Sequence, residues 1–486
     1  MNQNKHIAIW IGILSLVFSL TIYGQVEQIE TPQGTEETAL SEAVLSYGGA
    51  PDPEELALSA LSKEGALGIG LASINGDRFL QLQLQPDIDF GKVGFGLDVV
   101  LLYNFLAGEG EDTSPPKDSE AWDGINSILR FARYGQPSDP FYVRFGELDY
   151  VTIGHGFIMS GYSNYGRRGL HLNLGTKKSG IETVISNFGD PTVLGGRVFV
   201  RPLQEEEGDT SILPILNNLE FGGTYLMDIE PNQIPDDEEI PETTDEDSLV
   251  ALGLDVGVPL INNQLLRLEV YDDVAFLNTK PIAEAPGQTG TAIGNALGLG
   301  LSISKALFKI EYRSLGEGFY PTIFDYTYET SKGVSPDLLG MDADDNEGKP
   351  KRGYFSMLTM RTTRVDFMAV FEDYTTTEPK LYAGITGSGI ANRVSYRAFY
   401  VKRNIGEPDP GFPEKKGTTD PDFVQDLFRL DSKSAFIMRI GYEILPKFEV
   451  AIIREYRFQP VEDAAGETRF EPIQKTSFEG GFMLKF

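Results

Sequence analysis

Cysteine is absent from all 486 residues, so the chain has no disulfide, no thiolate metal ligand, no thiol nucleophile and no lipid-modified cysteine behind a leader. Long apolar runs are almost as scarce. Hydrophobic residues make up 41% of the chain and mean hydropathy is −0.18, whereas each membrane-crossing helix needs roughly 20 nearly uninterrupted apolar residues. Positive charge is in short supply too: 41 Lys and Arg stand against 72 Asp and Glu, a net charge of −31. That balance excludes nucleic acid as a partner, because phosphate binding needs a concentrated basic surface. With only three histidines, one of them His6, general acid–base chemistry has few candidates.

The one long apolar run, from Ile7 to Ile22, follows Lys5 and His6 and precedes the small residue Gly24. This is the layout of a secretory signal peptide over 1–24, with the mature chain starting near Gln25; a short membrane anchor is the alternative. Residues 25–64 are acidic and lack apolar periodicity. Within them Asp52, Pro53 and Glu55 supply an N-cap, a first helical position and a capping-box acid, predicting a short helix over 53–63. Acid is concentrated again from Glu205 to Asp209 and from Asp228 to Asp247, the latter with ten carboxylates and no Lys or Arg. Such runs read as solvated loops, or as a cation-attracting mouth or docking surface.

Between the acidic stretches the sequence alternates with a period of two, as strands do when their faces meet different surroundings. Leu80, Leu82 and Leu84 oppose Gln81, Gln83 and Gln85. Phe141, Val143 and Phe145 oppose Tyr142, Arg144 and Gly146, and Leu170, Leu172 and Leu174 oppose His171 and Asn173. Val365, Phe367, Ala369 and Phe371 oppose Arg364, Asp366, Met368 and Glu372, while Phe436, Met438, Ile440 and Tyr442 oppose Ile437, Arg439 and Gly441. One face is nearly pure hydrocarbon each time, and turn residues such as Asn75 and Gly76 separate the segments. Segments of about ten residues suit a tilted crossing of a bilayer. The expected fold is therefore all-β, a closed antiparallel transmembrane β-barrel of about 18 strands (16 to 20) over 65–486, since hydrocarbon leaves no sheet edge unpaired. Tyr and Phe number 21 and 30, and several stand near apparent strand ends (Tyr103, Phe105, Tyr134, Tyr400, Tyr456, Phe458), as interfacial girdles do.

At the C-terminus Phe478, Gly480, Phe482, Leu484 and Phe486 alternate on one face and Phe486 is the last residue. This resembles the insertion signal of Gram-negative outer-membrane β-barrel proteins of porin-like type. The resemblance implies recognition by the barrel-assembly machinery, with Phe486 as the terminal aromatic and Phe478, Phe482 and Leu484 in support, and residence in outer-membrane lipid.

Chemistry has few footholds. His155 and His171 are the histidines beyond the leader, and neither stands in a His-x-Ser arrangement; a spatial pairing with Ser160 or Ser163 is the remaining route to a nucleophile, and no catalytic residue is assigned. His171 reads as a lumen residue and His155 as part of a Gly-rich turn or inward loop. Asp342, Asp344 and Asn346 imitate a calcium loop, but Glu347 occupies the glycine position and Gly353 the bidentate glutamate position, so no metal site and no cofactor is assigned. Gly294, Gly298 and Gly300 alternate with Leu297, Leu299 and Leu301 as a strand does and form no phosphate loop.

The suggestive set is the charges on the inner faces. Arg130, Arg144, Arg197, Arg201, Arg364, Asp366, Arg393, Arg397 and Arg439 are pore-lining candidates, since a charge facing lipid would cost roughly 2 to 4 kcal/mol near the midplane. Glu269, Asp273, Glu311, Glu443, Glu449 and Glu455 share those faces. The two signs either set a transverse field across a wet eyelet or pair to brace the wall. Arg167 and Arg168 lie in a Gly- and Tyr-rich stretch from Tyr162 to Gly169 that either folds inward as a constriction loop or lies on the surface. The expected function is a non-enzymatic channel for small hydrophilic solutes; the alternative is a non-conducting barrel that docks a periplasmic or surface protein.

Overall fold

The computed structural model describes residues 67–74, 77–84, 87–104, 128–137, 139–164, 166–204, 214–231, 248–262, 266–278, 291–303, 306–325, 328–331, 350–362, 365–375, 377–388, 393–406, 423–431, 433–445, 448–462 and 468–482. All belong to one compact unit, Thr38–Phe486. The expected signal peptide, the acidic segment 25–64 with its helix, the turn at Asn75 and Gly76, most of the acidic runs, Asp342 to Asn346, Arg364, Leu484 and Phe486 lie outside the described residues.

The architecture is all-β. The first segments are β1 (Leu67–Ile74), β2 (Asp77–Leu84), β3 (Asp87–Phe90), β4 (Val93–Leu97), β5 (Val99–Asn104), β6 (Leu129–Tyr134), β7 (Phe141–Gly146), β8 (Gly169–Gly175), β9 (Ser179–Ile185), β10 (Val193–Val200) and β11 (Glu220–Asp228). Longer strands follow: β12 (Leu249–Asn262), β13 (Leu266–Asn278), β14 (Thr291–Ile303), β15 (Ala306–Leu315), β16 (Lys351–Arg361) and β17 (Val365–Tyr374). The last are β18 (Thr377–Ser388), β19 (Val394–Lys402), β20 (Ser434–Leu445), β21 (Phe448–Glu462) and β22 (Thr468–Phe482). Two short helices, α1 (Tyr328–Ser331) and α2 (Phe423–Leu427), lie in the connections.

Every strand pairing within this single sheet is antiparallel, and all but β2 with β5, β4 with β6 and β1 with β22 join neighbours along the chain. β2 and β3 face β5 and β4 in one unbroken register, so the two halves make one hairpin. The 22 segments therefore occupy twenty ladder positions, the upper end of the expected range. β22 returns to β1 through the pair Leu67 and Phe482.

The connections differ sharply between the two ends of the ladder. At one end eight of them span two to six residues, with the single longer one at 201–219. At the other end six span twelve to thirty-five residues: 105–128, 147–168, 229–248, 279–290, 316–350 and 403–433. Short turns on one side and long loops on the other are the habit of outer-membrane barrels.

Parity divides the residues as the sequence predicts. Phe141, Phe145, Leu174, Val198, Leu254, Leu297, Ile440 and Ile452 are exposed on the outer face. Arg197, Asp255, Asp273, Glu311 and Arg313 are buried on the inner one. Two expectations need correction: Ala369 and Phe371 have outer parity yet are covered, the Phe371 ring lying edge-on to Phe423 of α2 at 6.2 Å. Lys402, also of outer parity, is buried beneath the same connection, 2.7 Å from Asp431 and 3.3 Å from Asp426. The 403–433 loop thus packs on the exterior at its rim. There burial would raise the Asp426 carboxyl, but the hydrogen bonds from Lys433 and the Gly406 N–H, with the charges of Lys402 and Lys433, hold it below its ordinary value.

Leu254, 63% exposed on β12, tests the lipid assignment of this face. Leu254→Arg should lower the unfolding free energy of protein folded into lipid vesicles by roughly 2 to 4 kcal/mol. A denaturant titration that places the variant within 0.5 kcal/mol of wild type, about the size of an ordinary surface effect, would assign that face to water.

Candidate functional site

The site is built where the 147–168 connection leaves β7 and turns inward. Its base is fastened by the fully buried Asn164, whose Oδ1 accepts the Leu148 N–H at 2.8 Å. The Asn164 Nδ2 donates to the carbonyls of Ser186 at 2.8 Å, Arg167 at 2.9 Å and Gly146 at 3.3 Å. One amide therefore satisfies backbone groups at the ends of β7 and β9, where the ladder stops. Val151 and Tyr162 bridge across the loop, and its tip is Gly154, His155 and Gly156. Both glycines adopt left-handed φ, 60° and 83°, a region that disfavours larger side chains and lets the chain reverse tightly around the histidine.

The loop's apolar side chains, Leu148, Val151, Ile153, Phe157, Ile158 and Met159, form a core with the inner faces of β9 to β15. Phe319, Phe324 and Tyr328 from the 316–350 connection complete it; Phe157 and Phe319 stack at 5.3 Å, and Met159 bridges to Phe324. Small inner residues make room: a Cβ at Gly294 would enter the Phe319 ring, and Ala251, Ala275, Ala292 and Ala296 are buried beside it. A latch holds the two connections together. Glu329 of α1 accepts hydrogen bonds from the Tyr162 hydroxyl and from Arg167 Nη1, the latter at 2.7 Å. Tyr328 donates to Asp228 at 2.7 Å. Burial, the Glu329 charge and its hydrogen bond push the Tyr162 phenol well above its ordinary value, so it remains a donor.

Beneath this core the inner wall is charged. Arg197 binds Asp255 through two nitrogens, at 2.9 and 2.6 Å, and reaches Glu220 at 2.6 Å and Glu182 at 3.5 Å. Arg201 shares Glu220 at 2.6 Å. The His155 ring stacks on Tyr271 at 4.1 Å, and its Nδ1 lies 3.1 Å from Asp273. Burial would lower the imidazole, but the Asp273 hydrogen bond and the charges of Asp273, Asp255 and Glu269 hold it above its ordinary value. Lys309 donates to the His155 carbonyl at 2.7 Å and pairs with Glu311 at 2.6 Å. Glu311, fully buried, also receives Arg313 at 2.6 Å and the Tyr271 hydroxyl at 2.6 Å. Arg313 lies over Phe355 at 3.8 Å and 3.9 Å from Glu372.

The predicted candidates scatter around this constellation. Arg197 and Arg201 belong to it, and Arg167 joins the latch, whereas Arg168 is exposed beside it. The Tyr162 to Gly169 stretch is thus the returning leg of an inward loop. Arg130, at an irregularity of the β4 and β6 register, pairs with Glu147 at 3.4 Å. Arg144 reaches Asp149 at 3.3 Å and lies over Phe131 at 4.0 Å. His171, the predicted lumen residue, is buried edge-on to Tyr142 at 5.1 Å. On the opposite stretch of wall Arg397 and Arg439 are register partners. Arg397 donates to Thr386 at 3.1 Å, and Arg439 meets Glu449 at 2.7 Å. Asp366 faces Arg361 and Thr386 across the ladder. Arg393 is exposed at the short-turn rim. Phe478 is 74% exposed on the exterior, and Phe482 sits at the β1 and β22 pairing.

An apolar exterior, a sequentially antiparallel ladder and one-sided long loops are the features of a Gram-negative outer-membrane β-barrel protein, and the outer membrane is where such a surface is stable. No protein-family model and no curated protein matches the chain. Among solved structures it is similar to the FrpB iron transporter of Neisseria meningitidis, at 7% identity and a TM-score of 0.35 over 84% of this chain and 72% of that one. It is also similar to the ferric-catecholate import receptor Fiu of E. coli K12, at 10% and 0.33 over 86% and 73%. The outer membrane protein OprD of Pseudomonas aeruginosa follows at 10% and 0.26 over 83% and 87%.

Two substitutions separate latch from wall. Glu329→Gln removes the charged acceptor shared by Tyr162 and Arg167, worth about 1 to 3 kcal/mol. It should speed proteolysis within 147–168 of the folded protein roughly tenfold, and an unchanged cleavage rate would show that the latch does not hold the loop. Glu311→Ala leaves Lys309 and Arg313 buried without their shared carboxylate and should cost about 3 to 5 kcal/mol, read as a lower temperature for the gel-mobility shift of unheated samples.

Proposed function

We propose that the sheet closes through β1 and β22 into a twenty-strand barrel and that the chain is a non-enzymatic outer-membrane channel for small hydrophilic solutes, narrowed from within by the 147–168 and 316–350 connections. Exported behind its leader and inserted by the barrel-assembly machinery, it would face the cell exterior with its long-loop end. Barrels of 16 to 18 strands leave an aqueous lumen, and those of 22 carry a plug. Here the two connections pack on the inner face of β9 to β15. That packing, which Tyr150 extends to the cluster of Phe355, Met357, Met368, Val370, Tyr382 and Val401 on β16 to β19, is the observation that carries the reading, because it fills part of the interior with the chain's own loops. The wall of β18 to β21 presents Arg397, Arg439, Thr386, Ser395 and Glu449. Polar groups of both signs there suit passage of hydrated solutes more than of lipids.

The alternative, a barrel that conducts nothing and docks a protein partner, draws on one observation: Phe428 is 75% exposed, with Val424 and Leu430 nearby at 47% each, on the 403–433 loop.

Single-channel recording in planar bilayers decides between them. The channel reading expects reproducible conductance steps, and the double variant Arg397→Gln with Arg439→Gln should move the reversal potential in a salt gradient towards cation preference. Silence from preparations that pass the gel-mobility test for folded barrels would remove the channel reading. Steps with unaltered selectivity would place the conduit elsewhere in the lumen.

A further inference from the structure

We propose that His155, Asp255 and Asp273 form a binding site for one divalent transition-metal ion, which ties the tip of the inward loop to the barrel wall. The site goes beyond the channel reading and stands whether or not the protein conducts. Each residue offers one ligand atom, and the three atoms lie within 4.8 Å of one another. Ligands at about 2.0 to 2.2 Å from a metal stand closer together than this, so binding draws the loop tip inward by roughly an ångström. The left-handed glycines on either side of His155 give the tip the freedom to follow. One imidazole with two carboxylates suits zinc, cobalt or manganese rather than calcium, which prefers an all-oxygen shell.

Two further observations point to a cation. Asp273 is 7% exposed, and its Oδ2 is buried without a hydrogen-bond partner. A buried carboxylate oxygen without a partner is costly, and a metal ion supplies the missing interaction. It stands beside a cavity lined by Gly154, His155, Thr224, Gly253, Asp255 and Asp273. The second observation is charge balance. Arg197 and Arg201 face Glu182, Glu220 and Asp255, and Asp273 raises the acids to four against two cations. The adjoining group sets Lys309 and Arg313 against Glu311 and Glu372, with Lys351 and Lys380 also acting on Glu372. With His155 neutral, as a metal ligand must be, the four acids around it exceed the two arginines by two charges, which one dication offsets. Asp255 keeps a role although Arg197 holds it, because a carboxylate has about four lone-pair directions for its two oxygens.

The competing account is that His155 serves only as a hydrogen-bond partner of Asp273. Untagged, full-length mature protein, folded in detergent and stripped with a chelator, would be titrated with Zn2+ and with Co2+, with Mg2+ as the control. The proposal expects one Co2+ per chain with visible absorption of a nitrogen- and oxygen-ligated ion, and a rise in the gel-shift temperature with Zn2+. His155→Gln and Asp273→Asn should each weaken Co2+ binding by at least about 100-fold, by analogy with the 10- to 100-fold cost of losing supporting groups around a metal. His171→Ala should leave stoichiometry and affinity unchanged. Each variant is first shown to retain the heat-dependent mobility shift, so that loss of binding is not loss of fold. Absence of Co2+ uptake by the wild type at millimolar metal, or equal affinity in wild type, His155→Gln and Asp273→Asn, would overturn the site.

Discussion

Hydrocarbon accepts no hydrogen bonds, and the rest of this structure follows from that refusal. A backbone amide left unpaired among lipid tails costs several kcal/mol, so exterior strands must pair on both edges and irregular chain must go elsewhere. The described strands go most of the way to the first demand with one antiparallel ladder, whose end strands β1 and β22 share the single pair Leu67 and Phe482. The 147–168 connection meets the second by turning inward at Gly146 rather than along the exterior, and Asn164 supplies the backbone partners that the ladder gives up there. The short β7, β8 and β9, six to seven residues each, are thus the counterpart of the inward loop.

Once chain occupies the lumen, it changes what the inner wall must be. A wet lumen tolerates any polar residue, whereas a lumen packed by Phe157, Ile158 and Met159 needs small apolar partners. Ala251, Ala275, Ala292 and Ala296 provide them. Charges deeper on the same wall are then shielded from water and have to be matched. Glu311 between Lys309 and Arg313, and Arg197 among three acids, are arranged as alternating networks. The attraction within such networks barely exceeds the cost of drying the ions. Their effect is positional: removal of one member strands the others, so the loop is held in one register against the wall.

Face assignment was legible in the sequence because it depends on parity alone. Leu254 and Leu297 could be read as exterior, and Arg197 and Glu311 as interior, without knowing a single contact. The site was not legible, because its members come from distant segments: His155 and Asp273 are 118 residues apart. Asn164 gave no signal, since a buried asparagine that closes strand ends looks like any loop asparagine until the ends are placed. Phe371 was misread for a related reason, for parity says which way a side chain points and not whether a loop lies over it. One signal of the packed loop does stand in the sequence. On β14 the inner positions run Ala292, Gly294, Ala296, Gly298 and Gly300, and a stripe that small on a face meant for water is better explained by something packed against it.

Exposure to water separates two kinds of inner arginine that sequence alone left equal. Arg197 is 3% exposed, with three carboxylates around it, and a group so enclosed braces the wall and cannot meet a passing solute. Arg439 retains 23% of its side-chain surface beside Glu449, with Arg397 as its register partner. Arg397 donates to Thr386 at 3.1 Å on the same stretch of wall, and a field acts only where water still reaches the charges that set it. Arg197 and Arg439 therefore stand in different surroundings, one enclosed by acids and one still reached by water.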